Sequence, residues 1–365
     1  MRILFISATA GEGHNNFAKA LMEYYQHTHK DIEVKLIDLY KPHHKVMAYL
    51  INDFSFFMFR NFPHIMSCNY RVAAKTKVNP NRNNSLYQAL FAKKTILKEI
   101  DEFKPDLIFT THTYSTALIN YLNRKKIIDI PSYSLIPDFV IHPDVENNID
   151  SRLCFVSNKE VYDNLINRGF DKDKVIISGL PIKSSFYGEI EPFSYDLDKD
   201  KKVILVLFGG MGLHKNHKIV KRLESLLDDN YIVVINGKDK RSYKKLQKMN
   251  HPHLINIQYS DEIASIMKIS DVMIGKIGGS STSEALQFSL PVIAPFMPYY
   301  QENESIKLLN KYGLVKRSSL TNLYKDVTYV LNKKLTNDQV SKIHNYNSTQ
   351  IICESILNDF KSMKK

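Results

Sequence analysis

Short apolar segments alternate with helix-patterned segments along this chain in two separate series, and no other feature limits its fold as much. Residues 3–8 read as a buried strand, and 14–25 as a helix with Phe17, Ala20, Leu21, Tyr24 and Tyr25 on one face. A second strand follows at 33–39, and the segment from about 40 to 84 breaks the pattern. The spacing then predicts a helix at 86–103, a strand at 106–111, a helix at 115–123, and strands at 132–136, 153–157 and 175–179. A polar stretch from Pro181 to Lys201 carries Pro192 and several acids and reads as an interdomain linker. A second series begins at 202–208 and continues with strands at 231–236, 254–258, 272–275 and 291–295, with helical segments between.

Apolar strands separated by helices imply parallel sheets, so the fold class is α/β with two Rossmann-like domains. The expected layout is 1–182, a linker at 183–201, a second domain at 202–336, and a C-terminal helix over 337–365 that packs back on the N-terminal domain. Two such domains facing across a cleft suit a nucleotide-linked substrate, because ligands sit at the carboxyl ends of parallel strands. A length of 365 residues fits two domains, and 44% hydrophobic with 24% charged residues is enough for each to bury a core. Cys68, Cys154 and Cys353 are scattered with no metal-binding spacing, which argues against structural zinc or a disulfide framework and fits a reducing cytosol. Met1-Arg2 runs straight into the first strand, so no signal peptide is expected. No uncharged apolar run reaches the ~18 residues of a spanning helix.

The net charge of +12 is uneven. Residues 41–98 hold ten Lys/Arg and one acid, Asp53, a local +9 that leaves +3 for the remainder. Nucleic acid, anionic lipid or an acidic substrate each suits such a segment.

Four motifs follow strands. Gly11-Glu12-Gly13-His14 comes after the first strand and opens the first helix. Its glycines allow a tight turn, and a histidine there has a pKa suited to proton transfer. The same residues also suit a turn whose histidine only caps the helix. Lys276-Ile277-Gly278-Gly279-Ser280-Ser281-Thr282-Ser283-Glu284-Ala285-Leu286 follows the strand at 272–275. Paired glycines and hydroxyls opening a helix make a phosphate cradle, and Glu284, one turn in, can accept from ribose hydroxyls. A glycine loop with a Ser281-x-x-Glu284 capping box reads equally well from these residues. Tyr300-Gln301-Glu302 follows the strand at 291–295, where Gln and Glu supply acceptors and a donor for sugar hydroxyls, or else simply start a polar helix. Gly209-Gly210-Met211-Gly212 follows the strand at 202–208, where main-chain N–H groups can reach a diphosphate or merely turn the chain.

Taken together, these motifs resemble the monogalactosyldiacylglycerol synthase and processive diacylglycerol glucosyltransferase family, which is related to the enzyme that adds GlcNAc to the peptidoglycan lipid precursor. The resemblance spans nearly the whole chain. It includes Gly13-His14, Pro105-Asp106, Pro137-Asp138 with His142, Gly179-Leu180-Pro181-Ile182, the turn at 209–212, Gly278-Gly279…Ser283-Glu284-Ala285, and Gln301-Glu302. It implies a glycosyltransferase B-type fold, an inverting reaction, and a UDP-hexose donor held mainly by the second domain. By matching position, Glu284 would hold the ribose, and Gln301 and Glu302 the hexose. Gly209, Gly210, Gly212, Gly278, Gly279, Ser280, Ser281 and Thr282 would hold the diphosphate. His14 would be the base, with Gly11, Glu12, Gly13 and Asp138 on the acceptor side. Glu12, Ile277 and Tyr300 depart from the family pattern, so the acceptor loop and hexose pocket are expected to differ in detail.

The expected reaction moves a hexose, glucose rather than galactose, onto a lipid hydroxyl, most simply diacylglycerol; alternatives are a UDP-sugar epimerase of the same fold or a polyprenyl-linked acceptor. The Asp-x-Asp pairs (Asp171/Asp173, Asp196/Asp198, Asp198/Asp200) sit in polar, Lys-rich turns, so no metal and no cofactor are expected beyond the UDP-sugar substrate. Retaining lipid glucosyltransferases of the related fold use a Glu-x7-Glu pair, and no two glutamates here stand eight positions apart. In the basic segment, Phe54, Phe56, Phe57 and Phe59 interleave with Arg60, Arg71, Lys75 and Lys77. These residue types suit an element lying in the headgroup layer of an anionic membrane. A nucleic-acid surface uses the same types, and so does a core cluster under a basic face. The family resemblance favours the membrane, which places the chain in the cytoplasm, peripheral on the inner face of the cell membrane, with no nucleic-acid partner.

Overall fold

A computed structural model describes residues 1–8, 12–39, 84–142, 144–210, 215–295 and 300–364. Gly11, Gly212 and the whole aromatic-basic run from Phe54 to Lys77 lie outside the described residues, as does the side chain of Glu12. The chain forms two compact units. One holds Met1–Ser184, Tyr299–Gln301 and Ile343–Lys365; the other holds Ser185–Pro298 and Glu302–Lys342.

The first unit is built on β1 (Arg2–Ser7), α1 (Glu12–Thr28), β2 (Glu33–Asp38), α2 (Asn84–Leu90), α3 (Lys93–Phe103), β3 (Leu107–Thr110), α4 (Thr113–Arg124), β4 (Ser132–Leu135), β5 (Cys154–Val156), α5 (Lys159–Ile166) and β6 (Val175–Ile177). Its six strands pair in parallel in the order β2-β1-β3-β4-β5-β6. Helices cover the sheet, so β1, β3, β4 and β5 are buried almost residue by residue. Phe5 and Phe109 meet across the adjacent strands β1 and β3 with centroids 5.6 Å apart, and Phe155 on β5, one strand beyond β4, lies 6.1 Å from Phe109.

The second unit is built on β7 (Lys202–Leu207), α6 (Asn216–Arg222), β8 (Asn230–Ile235), α7 (Lys240–Gln247), β9 (Leu254–Ile257), α8 (Ile263–Ile269), β10 (Val272–Gly275), α9 (Gly279–Gln287), β11 (Val292–Ala294), α10 (Tyr300–Lys311), β12 (Val315–Arg317) and α11 (Leu323–Leu331). Its sheet order is β12-β11-β10-β7-β8-β9, all parallel. Counted from its own first strand this is the doubly wound order 3-2-1-4-5-6. Residues 183–201 open with a 3-10 turn (Ser184–Phe186) and group with the second unit from Ser185 onward.

Two expectations about elements need correction, and a third element was not expected at all. The helix expected at 86–103 is two helices, α2 and α3, broken by a turn at Phe91-Ala92 that buries Ala92 and leaves Phe91 largely exposed. The C-terminal helix expected over 337–365 is also two, α12 (Asn337–Ser341) and α13 (Ser348–Met363). The break follows from Asn345, whose side chain accepts from Asn347 N–H and whose carbonyl accepts from Ser348 N–H, a local turn that competes with helix. The third is the edge strand β12. It carries Lys316 and Arg317 and is only three residues long, so it leaves no apolar run to read.

The expectation that the C-terminal helix returns to the first unit is met. Ile352, Cys353, Ile356, Leu357 and Phe360 of α13 are buried. Tyr25 donates its hydroxyl to the Cys353 carbonyl (3.1 Å), and Tyr24 donates to Glu354 Oε1 (2.9 Å). Arg152 grips Asp359 with two bonds of 2.7 and 2.8 Å while Tyr133 donates to the same carboxylate at 2.7 Å. Cys154 and Cys353 are buried free thiols; burial pushes Cys154 up to about 12 and Cys353 well above its ordinary value, which makes both unreactive.

Candidate functional site

In a doubly wound sheet the ligand crevice opens where strand order reverses, at the carboxyl ends of the two strands flanking that point. In the first unit those strands are β1 and β3, and two histidines stand beyond them. His14 lies in the first turn of α1, and His112 is the N-cap of α4. Their rings meet edge to face with centroids 4.5 Å apart.

The ring nitrogens are assigned by their partners. His14 Nδ1 is 2.9 Å from the Thr111 carbonyl oxygen. A carbonyl only accepts, so Nδ1 carries the hydrogen and Nε2 presents its lone pair. His112 Nδ1 accepts from Tyr114 N–H at 3.1 Å, which caps α4. Burial, then the charges of His14 and His142, hold His112 well below its ordinary range, so this neighbour stays neutral. His142 is likewise lowered by burial, against the opposing pull of Asp144. Asp138, beyond β4, accepts from Gln301 Nε2 at 2.6 Å within the first unit. Gly13 sits half-buried beside His14 in α1.

The switch point of the second unit lies between β7 and β10, where its polar and glycine motifs converge. Gly209 follows β7 with φ +76, a left-handed conformation that favours glycine. Gly210 is held by its carbonyl, which accepts from Lys238 N–H at 2.9 Å. The backbone also comes so close at Gly237 that a Cβ there would sit 2.6 Å from the Gly210 oxygen. Lys276 lies between the two glycine turns: a Cβ on Gly209 or Gly278 would meet its Cε at 3.6 or 3.5 Å. Its ammonium is 3.8 Å from Glu302 Oε1.

Helix α9 starts after Gly278, whose position has no side-chain cap. The capping box read from Ser281 and Glu284 is not formed. Ser280 Oγ, one turn earlier, donates to Glu284 Oε1 instead, at 2.8 Å. Leading N–H groups of the helix thus remain available as donors, with the positive end of its dipole behind them. Thr282 Oγ1, Ser283 Oγ and Glu302 Oε2 are buried without hydrogen-bond partners among the described residues. Such orphaned polar atoms are costly unless a ligand completes them. Burial raises the Glu302 pKa, and the Lys276 charge opposes the rise.

Two residues at these switch points have no role assigned from the sequence: Lys276, which heads the second glycine motif, and His112. Lys276 was legible as the cation directly following an apolar strand and preceding paired glycines. His112 was legible as a polar residue two positions past β3's end, but only the fold brings it against His14. The Asp-x-Asp pairs play local roles: Asp171 Oδ1 accepts from Asp173 N–H and Asp198 Oδ1 from Asp200 N–H, both at 3.0 Å in exposed turns.

Two parallel-sheet units with polar groups gathered at both switch points match the glycosyltransferase B-type fold. Acinetobacter baumannii MurG superposes with a TM-score of 0.61 at 12% identity, covering 98% of this chain and 99% of that one. A putative UDP-N-acetylglucosamine 2-epimerase from Listeria monocytogenes gives 0.60 at 15% identity, covering 99% and 97%. Equal likeness to a transferase and an epimerase means that these structures define the fold and not the reaction. The sequence comparisons go further. Residues 14–182 match the family model for monogalactosyldiacylglycerol (MGDG) synthase, and 203–354 match the glycosyltransferase family 28 C-terminal domain. The processive diacylglycerol beta-glucosyltransferase of Bacillus subtilis (strain 168) is 27% identical over 388 residues, covering 99% of this chain and 96% of its own. Its counterpart from Bacillus cereus (strain B4264) is 28% identical over 323 residues, covering 86% and 80%. The chain is a glycosyltransferase that joins a domain of the monogalactosyldiacylglycerol synthase type at 14–182 to a glycosyltransferase family 28 C-terminal domain at 203–354.

Proposed function

We propose that this chain transfers a hexose, glucose in preference to galactose, from a UDP-sugar to the hydroxyl of diacylglycerol, with inversion and without a metal or cofactor. The observation that carries the reading is the hydrogen bond from His14 Nδ1 to the Thr111 carbonyl, because it puts the hydrogen on Nδ1 and makes Nε2 the basic nitrogen of a histidine at a switch point. In one displacement, the acceptor hydroxyl gives its proton to His14 Nε2 and its oxygen bonds to the anomeric carbon. The bond from that carbon to the diphosphate oxygen breaks, and UDP leaves with the electron pair. Single displacement inverts the anomeric centre, and the Bacillus relatives are named as beta-glucosyltransferases.

The leaving diphosphate gains charge as the bond breaks. Lys276, the glycine turns at Gly209-Gly210 and Gly278-Gly279, and the α9 N-terminus with Ser280, Ser281 and Thr282 are suited to stabilise it. In this reading Glu284 takes the ribose hydroxyls, Gln301 and Glu302 take the hexose hydroxyls, and Asp138 with Gly13 serves the acceptor side; the Glu302 Oε2 atom, buried without a hydrogen-bond partner among the described residues, supports the second of these roles. Among the described residues no helix is long and apolar enough to cross a membrane. Peripheral attachment to the inner face of the cell membrane, through anionic lipid and with no role for nucleic acid, is part of the same proposal.

The test is incubation with a panel of UDP-hexoses and diacylglycerol, with the lipid products read by mass and the new linkage by NMR. A β-hexosyl-diacylglycerol made from UDP-glucose is the expected result. Consumption of no UDP-hexose with any lipid would overturn the proposal, and interconversion of the UDP-sugar without lipid would indicate an epimerase.

A further inference from the structure

The +3 left outside residues 41–98 is an average that conceals a second basic concentration. Residues 215–222 hold four Lys/Arg and no acid, and residues 238–248 hold six Lys/Arg and one acid, Asp239. Together they carry +9, so the chain outside them and outside residues 41–98 is at −6.

The fold gathers both stretches onto one face of the second unit. Helices α6 and α7 are tied side by side: His217 N–H and Nδ1 lie 3.3 and 2.7 Å from Ser242 Oγ. Their backs, Ile219, Val220 and Leu246, are buried. Their fronts are exposed cations. On α7, Lys240, Arg241, Lys244, Lys245 and Lys248 fall at i, i+1, i+4, i+5 and i+8, a double row that lines one shallow depression. On α6, Lys218, Lys221 and Arg222 continue the face. None of these eight forms an ion pair among the described residues. Asp239 is occupied in capping, its Oδ1 accepting from Ser242 N–H at 2.9 Å.

This arrangement is electrostatically unfavourable for the helix itself. Like charges stand at i, i+4 three times over (240/244, 241/245, 244/248), and Lys240 and Arg241 oppose the dipole at the helix N-terminus. The field is felt locally: His217 is lowered first by burial and next by the Lys245 charge. Among the described residues only Asp239, at the helix N-cap, opposes these charges, so the face is matched to an anionic surface outside the protein.

We infer that the α6–α7 face is a membrane contact on the second unit, docking on the phosphates of anionic phospholipids. This rests on the lipid-acceptor reading above and adds to it a contact separate from the 41–98 segment. Six of the eight cations are lysines, compact charges on mobile stems that follow fluid headgroups without fixed geometry. A nucleic-acid face would add aromatic stacking platforms. The one aromatic on α7, Tyr243, is half-buried with its hydroxyl accepting from Gln247 Nε2 at 3.2 Å.

The test is sedimentation of the full chain with phosphatidylglycerol or phosphatidylcholine vesicles, alongside single-stranded RNA at matched phosphate concentration. Wild type is expected to prefer phosphatidylglycerol, and to lose that preference at about 1 M salt, where the screening length is about 3 Å. K240E/K244E/K248E is expected to weaken phosphatidylglycerol binding about tenfold or more while melting temperature and UDP affinity hold. K240A/K244A/K248A removes charge without adding repulsion and serves if the reversal variant misfolds; a smaller loss in the same direction is expected. Arginine at the same three positions should restore binding. Unchanged vesicle binding by the charge-loss variants overturns the inference, as does a wild-type preference for RNA over phosphatidylglycerol. Transfer to diacylglycerol in neutral detergent micelles does not involve this face. Its absence in wild type would sink the proposed function and leave the vesicle result to judge the docking face.

Discussion

The two sheets share one construction and differ in what stands at their switch points. The first places histidines there, with nitrogens assigned by backbone partners. The second places glycines, an uncapped helix start, a lysine, a buried glutamate (Glu284) and a half-buried one (Glu302). Neutral imidazoles suit moving a proton in a partly buried place, whereas backbone N–H groups and a cation suit holding an anion. The units also differ in how they close. The first depends on α13, returning from more than 300 residues away to meet α1 through Tyr24, Tyr25 and Glu354. The second closes on helices interspersed among its own strands.

The largest expected effect tests the division of labour. His14→Ala should lower kcat by about 10²–10⁴, the usual worth of a positioned base, while UDP affinity measured by calorimetry is unchanged. Near-normal turnover would remove His14 from the proton-transfer role and the contrast with it.

Acid should strike the first unit harder. His344, buried behind α13, is lowered from 6.5 to about 4 by burial. Between those values the unfolded chain binds a proton at this site that the folded chain does not. Stability is therefore full above about 6.5 and falls as pH drops towards 4, by about 3 kcal/mol from this group alone. His112 and His142 are lowered too and add to the same trend. Hydrogen exchange at pH 4.5 should show amides of the first sheet opening before those of the second, and H344Q should flatten the dependence.

Smaller effects probe the second unit. Glu284→Ala should weaken UDP binding by about 1.5–3 kcal/mol, the worth of a hydrogen bond to a charged group, with the loss confined to nucleotides that carry ribose hydroxyls. Gly209→Ala should cost about 1–2 kcal/mol of stability in a thermal melt, because φ is +76 there. Contact adds little to that cost, since the new Cβ would meet Lys276 Cε at an ordinary 3.6 Å.

Much of this was legible from sequence because the signals are local. The buried strands are runs such as Leu107-Ile108-Phe109, and the glycine turns sit directly after them. The motif Gly278 to Glu284 announced a helix start at a strand end. The local rule failed at its cap: Ser281 and Glu284 have capping-box spacing, yet the helix begins two residues before Ser281 and the carboxylate pairs with Ser280. The break between α12 and α13 was missed because Asn345 turns the chain by a side-chain bond that apolar periodicity does not register.

The sequence by itself determined the two α/β series, the uneven charge and the ordered motifs, since each follows from neighbouring residues and their period. Only the tertiary structure decided which distant residues share a site. Strand order sets β3 beside β1 and β10 beside β7, so Thr111 and His112 meet His14 and Lys276 comes between Gly209 and Gly278. It also decided that basic residues of α6 and α7 form one face. Pairing of strands across the sheet and packing of helices upon it are long-range choices, made by burial and hydrogen bonding over the whole chain, and no local window of residues contains them.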